Sequence, residues 1–253
     1  MKNLIRLPVA EPVVRSAAPV NLLVARFESL AMNGVCAMAG EAGHFLAGGE
    51  MYHIPRFVYQ SPDQRQALKI GVFTGLRGNV EGGLALLQFL ESLELQPWRA
   101  AGYELWLYPL CNPTGYEDGS GTSRRGASLD SDFWKASPEP EIMLLERELS
   151  EQRFDAAITL YTDERFQQFS GSASGGAAAS HLLESGLARA GFLLNEPALM
   201  VPWPKGALSV PPRGGKAHPN LRFGVPRHVP MRTRVAALDV ALGGVLSSAR
   251  HYL

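Results

Sequence analysis

The stretch IGVFTGLRGNVEGGLALLQFL, residues 70–90, decides the fold of this chain. It continues a short apolar run that begins at residue 67 and has the length and composition of a buried strand. The glycines of residues 74–78 then mark a turn, and leucines recur at near-helical spacing over residues 80–95. The stretch therefore predicts a strand, a loop and a helix in direct succession.

The same alternation continues towards the C-terminus. Further strands are predicted at residues 103–110, 154–161 and 221–225, and further helices at residues 138–152, 177–190 and 231–252. We expect residues 111–137 and 195–219 to be irregular, and the small residues 169–179 to form a flexible surface loop. Alternating strands and helices favour an α/β fold, a three-layer α/β/α domain with a mixed, mostly parallel central sheet.

In sheets of this kind, ligands bind beyond the carboxyl ends of the strands. Three of the predicted loops leave strands at such ends, at Thr74, Leu110 and Tyr161. We therefore expect these three loops to converge on one pocket.

Composition limits the classes of function. The 253 residues are 46% hydrophobic, which fits one domain over residues 1–253. Lys plus Arg and Asp plus Glu both number 24, so no net charge draws nucleic acid or an anionic membrane. No run reaches the roughly 18 apolar residues of a membrane helix, and the first residues lack an uninterrupted signal-peptide core. We expect a cytoplasmic protein, with Cys36 and Cys111 as free thiols and with no nucleic-acid or membrane partner.

Four segments follow the order of motifs in a known family. Residues 70–90 resemble a strand ending in Gly-x-His-Gly-(Asp/Asn)-Glu-Pro-x-Gly. LWLYPLCNPTGYEDGSGTSRRGASLDSDFW, residues 105–134, resembles an Asn-Pro-x-Gly loop followed by an arginine-bearing stretch and Asp-Leu-Asn-Arg-x-Phe. FDAAITLYTDE, residues 154–164, resembles a strand ending in Leu-His-x-Asp, and FGVPRHVPMRTRVAALDVAL, residues 223–242, a Glu-Thr-Pro turn before a terminal helix. The chain thus resembles the zinc carboxypeptidase family, including its succinylglutamate desuccinylase and aspartoacylase subgroup, although residues 1–60 match only loosely.

The resemblance implies which positions would hold zinc and catalyse hydrolysis. In the family a His, a Glu three residues later and a second His bind zinc, and a further Glu takes a proton from the zinc-bound water. These positions here carry Arg77, Val80, Tyr161 and Gly224. A guanidinium is a permanent cation, Val has no donor atom, and a phenol is a poor ligand at neutral pH. We therefore expect no zinc, no other cofactor and no catalytic residue.

Arg77 places a fixed positive charge about where the metal would lie. Three carboxylates are candidates to balance this charge: Glu81, Asp130 and Asp163. Such a pair can simply fill a former metal site. Alternatively Arg77 joins Arg124 and Arg125, which lie where the family carries a substrate-binding arginine, in a site for an anion. Tyr161 would then add a hydroxyl donor or an aromatic wall.

Three hypotheses about function remain open from the sequence. The first is a catalytically inactive carboxypeptidase-like protein that binds a small carboxylate, another anion or a peptide C-terminus in the former active-site cleft. The second is an active metal-dependent carboxypeptidase or N-acyl amino acid amidohydrolase with a rebuilt site that uses Glu81, Asp130 or Asp163. The third is a structural partner protein with an apolar surface patch.

Overall fold

The structure is a computed structural model that describes residues 18–33, 37–61, 67–163, 165 and 167–253. Its helices are α1 (Ala18–Asn33), α2 (Glu81–Leu95), α3 (Pro113–Glu117), α4 (Pro140–Glu151), α5 (Ala177–Leu194) and α6 (Met231–Tyr252), with a 3-10 helix at Pro97–Ala100. Its strands are β1 (Ala37–Ala47), β2 (Glu50–Gln60), β3 (Leu68–Thr74), β4 (Tyr103–Tyr108), β5 (Ala156–Asp163), β6 (Ser170–Ser174), β7 (Leu199–Met200) and β8 (Asn220–Pro226).

These strands form one mixed sheet in the order β1-β2-β4-β3-β5-β8-β6-β7. The four central strands are parallel, since β3 pairs in parallel with β4 and with β5, and β5 pairs in parallel with β8. Antiparallel pairs flank them, between β2 and β4 on one side and between β6 and β8 on the other. The carboxyl ends of the central strands therefore meet at one edge of the sheet, where a ligand crevice is expected.

Helices and loops cover both faces of the sheet. Helices α1, α2, α5 and α6 pack on one face in an apolar cluster that includes Leu86, Leu160 and Leu238. A second apolar cluster, with Phe73 and Leu145, lies on the other face under α4 and the long loops. The predicted three-layer α/β/α fold with a mixed sheet is therefore confirmed. Helix α6 contributes a stripe of buried apolar side chains to the first cluster: Val235, Leu238, Leu242 and Leu246.

One predicted element is wrong. The small residues 169–179 do not form a flexible loop, because residues 170–174 are strand β6, paired antiparallel with β8. Small side chains are needed here since α5 packs closely on this strand. An ideal Cβ on Gly171 would lie 2.7 Å from Cδ1 of Leu183 and 2.8 Å from Cδ2 of Leu187. The composition of this segment thus reflects close packing rather than flexibility.

The remaining predictions concern the bounds of α2, the irregular segments, membrane helices and the two cysteines. Helix α2, predicted from residue 80, begins at Glu81, and the predicted irregular segments contain only the short elements α3 and β7. No helix in the described part of the chain is long and apolar enough to cross a membrane. Cys111 is a buried free thiol whose pKa is raised by burial, whereas Cys36 lies outside the described residues.

Candidate functional site

The loops at the carboxyl ends of the central strands line a cleft of about 450 Å³. Residues 77–79 and Glu81 follow β3, and residues 119–121 follow β4. Thr162 and Arg165 lie at and just beyond the end of β5, and Arg227 directly follows β8. The predicted convergence of the loops after β3, β4 and β5 on one pocket is confirmed.

Direct backbone contact holds the first two loops together. Gly78 has a φ of +62°, and an ideal Cβ on it would lie 2.5 Å from the carbonyl oxygen of Ser120. Position 78 therefore requires glycine, because its positive φ favours glycine and because no side chain fits there. Asn112 fixes the second loop, because its Oδ1 accepts a hydrogen bond from the Gly115 amide at 2.8 Å and its Nδ2 donates to the Leu76 carbonyl at 3.2 Å. The Asn-Pro-x-Gly motif thus joins the two loops.

Asp130 binds two guanidinium groups at the base of this site. Arg77 donates from Nε to Oδ2 of Asp130 at 2.8 Å and from Nη2 to the same oxygen. Arg222, on β8, donates from Nη2 to Oδ1 of Asp130 at 2.5 Å. Of the three carboxylates predicted to balance Arg77, Asp130 therefore binds it in the structure.

The two other predicted carboxylates are placed differently. Glu81 lines the cleft, but its Oε1 accepts from Nη1 of Arg234 on α6 at 2.9 Å. Asp163 is the last residue of β5, and its side chain lies outside the described part of the chain. Of the three candidate carboxylates, Glu81 therefore pairs with Arg234 and not with Arg77.

The two arginines keep Asp130 ionised. Asp130 is only 8% exposed, and burial alone would raise its pKa. The nearby charges of Arg222 and Arg77, together with their hydrogen bonds, outweigh burial and hold the pKa below its usual value. A carboxylate in this state is a weak general base.

The ring of Tyr161 lies against both guanidiniums. Its centroid is 5.1 Å from Cζ of Arg77 and 4.8 Å from Cζ of Arg222, within the range of cation–π attraction. Tyr161 is 2% exposed and is not among the residues that line the cleft, so its predicted role as a hydroxyl donor or aromatic wall of an anion site stays a prediction. The phenol is thus packed among cations.

Gly224 lies beside Tyr161 in the register of β8 and β5. An ideal Cβ on Gly224 would lie 2.8 Å from Cζ of Tyr161 and 2.9 Å from Oγ of Ser170. The position that in the resembled family carries the catalytic glutamate therefore has no room for a side chain.

Arg124 and Arg125 do not join Arg77. Arg124 donates from Nη2 to Glu117 at 2.8 Å and from Nε to Asp118 at 3.1 Å, and its Nη1 lies 3.5 Å from a carboxylate oxygen of Glu50. Arg125 is exposed and donates to the carbonyl of Pro138 at 3.4 Å. The alternative of an anion site built from these three arginines is therefore wrong, because acidic residues at the end of α3 and on the β1–β2 hairpin bind Arg124 instead.

Three arginines of the site were missed from the sequence. Arg165 and Arg227 line the cleft, and Arg222 is 1% exposed beneath it. Two of them could have been found from the sequence, because Arg227 directly follows a strand end and Arg165 lies two residues beyond one. Arg222 interrupts the apolar strand sequence LRFGVP, residues 221–226, and shares a face with Gly224 by the two-residue period of a strand.

The residues at the implied metal positions do not fit zinc. Arg77 is a cation bound to Asp130, and Tyr161 is a phenol beside two guanidiniums. Val80 is the N-cap of α2 and offers no donor atom. Over the described ranges, no group of three or more His, Cys, Asp or Glu side chains is arranged to hold a metal ion. Zinc sites need three or four nitrogen, sulfur or carboxylate ligands, which this set does not supply.

Comparisons with known proteins give a likeness of fold. No family model matches the chain, and no curated protein matches it. A metallo-carboxypeptidase from Burkholderia cenocepacia superposes with a TM-score of 0.72 at 14% identity over 90% of this chain and 69% of its own. A protein from Shewanella denitrificans OS217 described as a metallopeptidase superposes with a TM-score of 0.71 at 18% identity over 91% of this chain and 90% of its own. Thrombin activatable fibrinolysis inhibitor superposes with a TM-score of 0.71 at 13% identity over 92% of this chain and 74% of its own.

Proposed function

Because the chain has the zinc carboxypeptidase fold, we propose that it is a non-hydrolytic protein of this fold whose cleft binds a small anionic ligand, a carboxylate or a peptide C-terminus. The observation that carries the proposal is the guanidinium of Arg77 at the first implied metal position, held by Asp130 beside Tyr161. A fixed organic cation has taken the place of a metal cation.

Electrostatics opposes a metal at this position. At about 4 Å and an effective dielectric constant of about 20, a dication and a guanidinium repel by about 8 kcal/mol. Arg77 cannot lose its charge, and its hydrogen bonds to Asp130 hold it in place. A zinc ion would therefore have to displace a charge pair that is already partly buried.

The nearby carboxylates whose side chains the structure describes are poor substitutes for a catalytic base. Gly224 has no side chain, Asp130 is bound to two arginines, and Glu81 is bound to Arg234. The charges of Arg222 and Arg77 hold the pKa of Asp130 below its usual value despite its burial, so this carboxylate has little affinity for a proton at neutral pH. These contacts support the loss of hydrolysis.

The cleft has the chemistry of an anion site. The described charged residues that line it are three arginines and one glutamate: Arg77, Arg165, Arg227 and Glu81. Helix α2 begins at the cleft without a side-chain cap on its amides, and the positive end of its dipole favours an anion. Thr162 also lines the cleft, and its buried hydroxyl has no hydrogen-bond partner. Guanidinium and hydroxyl groups together suit a carboxylate.

Calorimetric titration with matched peptides tests the proposal. A peptide with a free C-terminal carboxylate should bind at least about tenfold more tightly than the same peptide amidated, a difference of about 1.4 kcal/mol. Arg227→Met should weaken binding of the free peptide by a similar factor, whereas Arg125→Met, outside the cleft, should not. Equal binding of both peptides, or equal effects of the two substitutions, would contradict the proposal.

A further inference from the structure

Strand β1 lies at one end of the sheet, far from the cleft. Among the strands that the structure describes, it pairs with β2 alone. Its exposed side chains include Met38, which is 52% exposed, and Leu46, which is 60% exposed. An edge strand of 11 residues presents a row of backbone amides and carbonyls that can pair with a further strand.

The hairpin turn determines which residues of β1 face this outer edge. Residues 48–49 are two glycines with positive φ, so Ala47 and Glu50 are the hydrogen-bonded pair that closes a two-residue turn. Hydrogen-bonded and outward-facing residues alternate along an antiparallel strand. The backbone groups of Leu46 and His44 therefore face outward.

A bulge shifts this alternation by one residue. The register with β2 changes between Glu41 and Gly43, so the next outward-facing residues are Glu41 and Ala39. The outward-facing residues lie opposite alternate residues of β2, and their side chains therefore share one face of the sheet: Ala39, Glu41, His44 and Leu46.

A groove of about 300 Å³ lies on the same face, between α1 and the β1–β2 hairpin. Its lining includes apolar side chains and two carboxylates: Val24, Ala39, Pro55, Phe57, Glu28 and Glu41. Such a lining suits an apolar side chain that arrives next to a hydrogen-bond donor.

We propose that two copies of the chain form a dimer through antiparallel pairing of β1, with His44 of each copy opposite Glu41 of the other. The same register places Leu46 opposite Ala39, at the groove of the other copy. Side chains of directly opposed residues are neighbours, so the imidazole of His44 can donate a hydrogen bond to the carboxylate of Glu41. Each strand has two residues between Glu41 and His44, so both pairs form together about a two-fold axis.

Two neighbouring registers are less favourable. A register centred on Glu41 would place two carboxylates opposite each other. A register centred on His44 would oppose two imidazoles and would place Leu46 opposite Ala42, whose carbonyl already accepts a hydrogen bond from Nη2 of Arg147 at 2.6 Å. The register of the proposed dimer instead pairs a donor with an acceptor.

The mass of the full chain in solution tests this dimer. Light scattering after gel filtration should give twice the mass of one chain for wild type. Leu46→Lys should give the mass of one chain, because its ammonium group would meet the apolar lining of the groove. Phe192→Lys is the matched control, since Phe192 on α5 is 90% exposed, and it should remain a dimer. A wild type with the mass of one chain, or an undiminished dimer of Leu46→Lys, would overturn the proposal.

Charge reversal tests the register. Glu41→Lys should raise the dissociation constant of the dimer at least about tenfold, because two pairs change in each dimer. Adding His44→Glu reverses both partners and should restore most of the affinity, as measured by sedimentation equilibrium. Both residues are exposed, so the fold of the single chain should be unaffected. An unchanged dissociation constant in Glu41→Lys, or no recovery in the double variant, would contradict this register.

Hydrogen exchange shows which surface forms the dimer. The amides of His44 and Leu46 should exchange at least about tenfold more slowly in wild type than in Leu46→Lys, because pairing with a second β1 strand protects them. A dimer in which these amides exchange as fast as in the single chain would assign the interface to another surface and overturn the proposal.

Discussion

The phenol of Tyr161 occupies the space that a side chain at position 224 would need, since an ideal Cβ on Gly224 would lie 2.8 Å from its Cζ and 2.9 Å from its Oη. By the resemblance, these positions correspond to the second zinc-binding histidine and to the catalytic glutamate. The two departures from the family pattern are therefore sterically coupled, and restoring a side chain at 224 alone meets the ring of Tyr161.

Gly224→Ala should destabilise the protein by about 1–3 kcal/mol, because an added methyl group overpacks this buried contact. Urea unfolding measures the effect. Gly121→Ala is the matched control, since nothing lies within 4 Å of its Cβ position, and it should change stability by less than about 0.5 kcal/mol. Equal effects of the two substitutions would show that position 224 is not confined.

Gly224→Glu should become less damaging when Tyr161 is also truncated to Ala, because the second substitution removes the obstructing ring. A double-mutant cycle measures this coupling. The loss of unfolding free energy in the double variant should be smaller than the sum of the two single losses by about 0.5–3 kcal/mol. Simple additivity would contradict the steric coupling of the two positions.

Asp130→Asn should destabilise the fold by about 3–5 kcal/mol, because it leaves the buried guanidinium of Arg222 without a charged partner. The neighbouring substitution Asp132→Asn removes the charge of a surface pair with Lys135 at 3.4 Å, keeps an acceptor for the Ser131 hydroxyl, and should cost less than about 1 kcal/mol. Urea unfolding of both variants compares them, and a loss at Asp130 no larger than that at Asp132 would be inconsistent with a buried charge pair.

Acid should reveal the same contact. The folded-state pKa of Asp130 lies below its unfolded value of about 3.9, so its stabilising contribution is present above that value and is lost as the pH falls through the folded pKa. Wild type should therefore lose stability more steeply than Asp130→Asn below about pH 4. Parallel pH profiles of the two proteins, measured by urea unfolding, would rule out this contribution.

Asp239 gives the opposite pH dependence. It is 8% exposed on α6, where Gln88 of α2 donates to its Oδ2 at 3.2 Å and its Oδ1 has no partner. Burial raises its pKa despite the opposing charge of Arg99, so stability is greatest below the unfolded pKa and falls as the pH rises through the folded pKa. Asp239→Asn should thus stabilise the protein at neutral pH by about 1 kcal/mol, with the gain disappearing near pH 4.

Thermal or urea unfolding at neutral pH and near pH 4 measures the gain in stability of Asp239→Asn. Glu94→Gln, an exposed carboxylate at the end of α2, is the control and should show no such pH-dependent gain. A destabilising effect of Asp239→Asn at neutral pH would show that the ionised carboxylate is favoured in the fold.

Local sequence patterns were sufficient to predict the strand, turn and helix that build one side of the cleft. The apolar run of β3, the glycine turn after it and the leucine spacing of α2 are strong short-range signals, and they placed Arg77 correctly in the loop between β3 and α2. Strand β6 was missed because close packing by Leu183 and Leu187 selects small residues, whose composition is the same as that of a flexible loop.

The partners of the arginines depend on tertiary structure and could not be predicted locally. Arg124 is bound by Glu117 and Asp118, and the β1–β2 hairpin brings Glu50 to it from a part of the chain that matched the family only loosely. Likewise, Asp130 contacts Arg222 across 92 residues of sequence, a separation at which periodicity carries no information.

The zinc content of the purified protein tests the central claim most directly. After expression in zinc-supplemented medium and gel filtration, elemental analysis should find far less than one zinc per chain, and the protein should not hydrolyse C-terminal peptide bonds or N-acyl amino acids. One tightly bound zinc per chain, removed by a chelator together with such hydrolysis, would contradict the account of a fold in which Arg77 has replaced the metal.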